Sequence, residues 1–196
     1  MSTREQTKHD TREALVKAAL AEFAEHGLDA SLDAICARAG FTRGAFYVHF
    51  KDRDDLVVAA IDKVLSRHQD MLLAGGDLRA TIVRFIALVM TGEGVTTGTP
   101  SWRFRHTLDA CARLPAVRAR YLKLQRQGVA RVAASAAADQ KSGTVRDDID
   151  AHALAELLVV LTLGMSAASE LGLPIDVLAG GAVLQRMLRS TRSKSS

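Results

Sequence analysis

The residues best placed to do chemistry lie in one stretch, Thr42-Arg43-Gly44-Ala45-Phe46-Tyr47-Val48-His49-Phe50. Phe46 and Phe50 stand four apart, so on a helix they share a face and can pack inward with Phe41. Arg43, Gly44, Ala45, Tyr47 and His49 are then left facing outward. Gly and Ala are poor choices for a surface helix unless a large partner must come close. Arg43 can donate two hydrogen bonds to a guanine edge, while Tyr47, His49 and Lys51 can reach phosphates. The chemistry this implies is recognition of duplex DNA. GxGxxG after a strand, GxxxxGK[ST], HExxH and GxSxG are all missing, and the 6 His are scattered. No catalytic residue, cofactor or metal site is therefore predicted. The 2 cysteines, Cys36 and Cys111, form no CxxC or Cys/His cluster, which argues against a disulfide framework or a structural zinc site. Cys36 falls on an apolar helix face as a small buried thiol, and Cys111 is a candidate redox thiol only if its thiolate is activated.

Helices must hold that stretch in place. From Thr11 to His26, Leu15, Ala19 and Phe23 recur every four residues beside Val16 and Leu20, and Gly27 follows at the C-cap. Ser31 is a good N-cap for a short helix ending near Ala39. Gly40 then supplies a sharp turn, and Thr42 caps a very short helix running to about His49. Three helices with a Gly-containing turn before the third meet the requirements of a helix-turn-helix. Ser31 and Thr42 can touch phosphate as well as cap.

Further along, the pattern predicts helices from about Lys51 to Leu73, Leu78 to Met90, Ser101 to Arg113, Pro115 to Asp139, Ala151 to Leu171 and Ile175 to Leu188. The expected class is all-α, with about nine helices and no convincing strand. Domains are expected at 1–53 for the DNA reader and at 54–190 for effector binding and dimerisation, followed by a disordered tail at 191–196. No apolar run looks long enough for a bilayer and the polar N-terminus lacks a secretion signal, so a cytoplasmic protein without membrane contact is expected.

The stretch SLDAICARAGFTRGAFYVHFKDRDDL (Ser31–Leu56), with the preceding helix TREALVKAALAEFAEHGLDA, resembles the signature of the TetR/AcrR regulators. Two departures are small: Cys36 replaces the usual alanine and Arg53 the usual lysine. The resemblance implies an omega-shaped homodimer that sets one reader per subunit in successive major grooves of a near-palindromic operator. By position it carries over Ser31, Thr42, Arg43, Gly44, Ala45, Tyr47, His49 and Arg53 as DNA-contacting residues, and Arg12 as a further cation for phosphate. Repression relieved by a small molecule is the default function it implies. The alternative is a helical small-molecule-binding protein without sequence-specific DNA binding.

The apolar segment AHALAELLVVLTLGMSAASELG must be buried on several sides, which pairing of the last two helices with a second copy would achieve. An effector pocket, as the resemblance implies, would be built from the middle helices, with Phe85, Val89, Trp102, Phe104, His106, Tyr121, Gln125, Leu161 and Met165 as candidates for contact with an aromatic or apolar ligand. Charge is uninformative at large: the net value is +4, and residues 1–53 balance 8 Lys/Arg with 8 Asp/Glu. Residues 101–131, by contrast, set 8 Lys/Arg against Asp109 alone. That is a solvated face or, as the sharper reading, a site for an anionic ligand.

Overall fold

A computed structural model describes residues 3–72, 74–91 and 103–190, with the side chains of residues 3–4, 68–69, 71–72 and 88–91 left aside. The described residues form α1 (Thr3–His26), α2 (Leu32–Ala39), α3 (Arg43–Tyr47), α4 (Arg53–Leu72), α5 (Leu78–Thr91), α6 (Phe104–Arg113), α7 (Pro115–Lys141), α8 (Ala151–Glu170) and α9 (Val177–Leu188). Among them there is no strand, only an isolated bridge between Val145 and Arg189. Two compact units result, one from the described residues of Met1–Ser66 and Gly94–Tyr121, the other from those of Arg67–Glu93 and Leu122–Ser196. The compact unit that carries the helix-turn-helix thus does not end at residue 53, as expected. It takes in most of α4, all of α6 and the first turns of α7.

In the first unit, Leu15, Val16 and Phe23 of α1 pack with Ile35, Phe46, Phe50, Leu56 and Val57, all almost wholly buried. Gly27 and Gly40 turn the chain at φ +73 and +76, a region that penalises any side chain. Ser31 and Thr42 cap α2 and α3 by accepting from the N–H groups of Ala34 at 3.1 Å and Ala45 at 3.2 Å. α1 begins eight residues before the expected Thr11, because its polar start is built of helix formers and closed by a Gln6–Asp10 hydrogen bond of 2.9 Å. α3 is shorter than expected and closes at Val48, whose N–H turns to the Ala45 carbonyl at 3.3 Å.

The second unit has its core where Leu78 and Ile82 of α5, Val132 and Ala136 of α7, Val145, Leu154 and Ala155 of α8 and Leu188 of α9 meet. Asp139 on α7 accepts from the N–H of Leu78 at 2.7 Å and so caps α5 from a distance. Asp176 caps α9 through Ala179 N–H at 2.9 Å, so that helix starts two residues later than the expected Ile175. The Gly180-Gly181 pair inside α9 has an explanation on one side. A Cβ on Gly181 would lie 2.2 Å from Cδ1 of Ile86, so glycine lets α9 close on α5.

α8 corrects one expectation. Its 20 residues, with a mean hydropathy of 1.6 over the best window, are long and apolar enough to cross a bilayer by length and composition. Its hydroxyls add little polarity, because Thr162 and Ser166 donate back to the carbonyls of Leu158 and Thr162. Leu154 and Ala155 nonetheless pack into the core, while Leu157, Val160 and Leu161 stay exposed. Only 17% of that window is buried within the described residues.

Candidate nucleic-acid interface

The site begins with the burial of Phe46, which is fully enclosed and stacks on Phe50 at a centroid separation of 5.4 Å. Anchoring that face turns the opposite one to the outside. Tyr47 is 58% exposed and rests its ring edge against Phe46. Arg43 and Gly44 are exposed and Ala45 half-buried. A Cβ on Gly44 would meet nothing closer than the Thr42 hydroxyl at 3.6 Å, so packing within the chain does not demand glycine there. An outside partner that comes close would.

Arg43 is not idle on this face. Its Nε and Nη2 donate to the two carboxylate oxygens of Asp33 on α2, at 2.5 and 2.9 Å. This fork takes the Nε and Nη2 edge of a guanidinium that stays more than half exposed. Lys51 is exposed and lies 3.8 Å from Asp52.

Two expected phosphate ligands are placed differently from the others. Arg53 turns inward: its Nη2 donates to the carbonyls of Leu28 and Ala30, the latter at 3.0 Å, and its guanidinium lies 5.6 Å over the Phe23 ring. The free carbonyls of the α1–α2 turn draw it there, since buried acceptors need donors. Arg53 therefore braces the helix-turn-helix. His49 is half-buried, with its Nδ1 enclosed and without a hydrogen-bond partner. Burial first, then the charges of Lys8 and Arg12, hold its pKa below the ordinary 6.5.

Sequence reasoning missed Asp33, and it missed Lys8 and His9. Lys8, His9, Arg12, Val48, His49 and Glu5 line a cleft of about 390 Å³. A signal for it existed, because residues 5, 8, 9 and 12 follow the spacing of one helix face. Ion pairs brace the rest of the unit. Arg38 meets the buried Glu22 at 2.6 Å and also Glu25, whose pKa it lowers. Arg113 of α6 forks onto Asp29 at 2.8 and 3.0 Å, lowering that carboxyl too. Glu22, Glu25 and His26 lie close enough to share a metal ion, but the Arg38 guanidinium already takes both carboxylates. Cys111 is half-buried, and burial pushes its thiol up, the opposite of an activated thiolate.

The candidate effector residues are divided between the two units. Phe104, His106 and Tyr121 belong to the first unit, and Phe85, Gln125, Leu161 and Met165 to the second. The Val89 side chain and the whole of Trp102 lie outside the described residues. His106 has a structural task, since its buried Nδ1 accepts from the N–H of Arg103 at 3.2 Å and closes the start of α6. Leu161 faces outward with Leu157 and Val160. The basic run of residues 101–131 is partly neutralised, with Arg113 on Asp29 and Asp109 and Arg120 on Asp62.

Residues 15–60 match the family model described as bacterial regulatory proteins, tetR family. The HTH-type transcriptional repressor BepR of Brucella suis is 38% identical over 65 residues, which are 33% of this chain and 31% of that protein. The chain therefore spans about a third of this curated relative. Solved structures extend the likeness in fold to nearly the whole chain. NemR of E. coli, in its reduced form, superposes with a TM-score of 0.76 at 18% identity, covering 94% of this chain and all of the other. The SmeT–triclosan complex gives a TM-score of 0.69 at 25% identity, covering 91% and 89%. The helix-turn-helix segment at residues 15–60 is thus similar to the tetR family of bacterial regulatory proteins, and the all-helical scaffold around it has the fold of these solved structures.

Proposed function

We propose that the chain is a sequence-specific DNA-binding repressor, released from its operator by a small molecule. The observation that carries this reading is the outward presentation of Arg43, Gly44 and Tyr47 on a helix whose Phe46 is fully buried. Arg43 reads a base edge, while Ser31, Thr42, Tyr47, His49 and Lys51 meet the backbone and fix the register. The repressor BepR, matched over 65 residues of the chain, supports repression over activation. Such work places the protein in the cytoplasm, next to the chromosome.

The reader functions as a pair. The outward faces of α8 and α9 carry Leu157, Val160, Leu161, Leu178, Val183 and Met187, all at least 40% exposed. So much contiguous apolar surface suits a second copy. The effector enters the second unit, where Phe85, Gln125 and Met165 are half-buried, and the triclosan bound by SmeT supports an organic ligand of that kind. A ligand acts by favouring a separation of the two α3 helices that no longer matches one DNA turn of about 34–36 Å.

Footprinting on the promoter region beside the gene tests the proposal. A short near-palindromic footprint, lost on adding the effector, is expected. Binding without sequence preference and with a steep salt dependence would replace the repressor by a non-specific DNA binder.

A further inference from the structure

We propose that the cleft between the start of α1 and the end of the α3 segment holds a phosphate of the DNA backbone, extending the interface onto Lys8, His9 and Arg12. The inference rests on the DNA-binding reading above. Lys8 and Arg12 lie on the face of α1 that lines the cleft, His9 is beside them, and Val48 and His49 close it from the other side. Glu5 is the one opposing charge among the lining residues. Arg12 is held in position, its guanidinium 4.8 Å over the ring of Phe50.

The place matters as much as the charge. A helix end of this polarity carries partial negative charge and repels phosphate on its own. A helix lying in a major groove about 12 Å wide is nevertheless flanked by both backbone strands. The strand passing the end of α3 needs cations that α3 lacks, and α1 supplies them. His49 completes the set. Its enclosed Nδ1 has no partner, so Nε2 is the ring nitrogen able to donate to a phosphate oxygen, as it does in the neutral tautomer that carries the proton there. Lys8, Arg12 and His9 on α1 and Lys51 on its own segment are the basic groups around it, and Glu5 the acidic one.

The experiment measures affinity of the full-length protein for a labelled promoter duplex and for a scrambled duplex of equal length, between about 50 and about 200 mM salt. Lys8→Ala/Arg12→Ala should weaken both duplexes by the same factor, lower the salt slope by about 1 and leave the preference between them intact. His49→Phe should weaken both about tenfold, and His49→Gln, which keeps a neutral donor, should recover most of that loss. These side chains sit at a rim, and circular dichroism verifies that the helices persist. A wild type that prefers its promoter, beside a double variant of unchanged slope, overturns the cleft and leaves the repressor reading standing. A wild type that binds neither duplex removes both. Saturable binding of inorganic phosphate to the DNA-free protein at sub-millimolar concentration, lost in the double variant, would make the cleft a free-anion pocket and overturn the backbone assignment.

Discussion

Arg43 sits in an ion pair, and that pair sets what its loss should do. Asp33 holds the guanidinium in a fork while leaving it more than half exposed. Arg43→Ala should lose about 1–3 kcal/mol at one base-pair position and relax selectivity there, read by titrating operators changed one position at a time. An equal loss on every sequence would make Arg43 a phosphate contact. Asp33→Asn should raise affinity for all duplexes, since it removes an anion facing the groove. His49 belongs to the same scale but reports through stability. Its folded pKa lies below 6.5, so as pH falls through 6.5 the unfolded chain takes up a proton that the folded one refuses. Stability contributed by neutral His49 is thus present above that pH and is lost below it. Thermal melts from pH 8 to about pH 5 should show a decline that His49→Gln reduces, and an unchanged decline would rule the residue out as its source. Arg43 was legible from its outward spacing. Its partner was not, because Asp33 lies ten residues back on another helix and pairs only once α2 and α3 are folded together.

At the scale of elements, the close approach of α5 and α9 depends on one missing methyl. Gly181→Ala would press a Cβ against Ile86 at 2.2 Å, and overpacking of this kind is expected to cost about 1–3 kcal/mol. The check is urea unfolding of Gly181→Ala, Ile86→Val and the double variant. If Ile86→Val relieves none of the loss, the contact is not its source. Gly180, the residue before it, has open space around it, so the pair's two glycines answer to different surroundings. The caps divide similarly. Ser31, Thr42 and Asp150, which caps α8 by accepting from the Ala153 N–H at 2.8 Å, could be read from residue type followed by an apolar run. The capping of α5 by Asp139 could not, because donor and acceptor are 61 residues apart. His106, a candidate for the effector pocket, and Arg53, carried over by position as a DNA contact, both satisfy the backbone, one at the start of α6 and one at the α1–α2 turn.

For the whole molecule, the proposed pairing of two copies rests on the exposed apolar faces of α8 and α9. Replacing Leu157 and Val160 with Glu should convert a dimer into a 21.1 kDa monomer in sedimentation and weaken operator binding, since two half-sites would no longer be held together. A wild type that sediments as a monomer at micromolar concentration would remove the paired-reader proposal. The sequence alone determined the class of every major element, the helix-turn-helix and which face of α3 meets the outside. Those follow from spacing and caps within a few turns, where side-chain direction is set by the helix itself. Tertiary structure alone decided what the charged side chains do. Arg53 closes on carbonyls, Arg43 on Asp33, and Lys8 and Arg12 gather beside His49, because each outcome depends on which distant backbone and side-chain groups are left needing a partner after the helices pack.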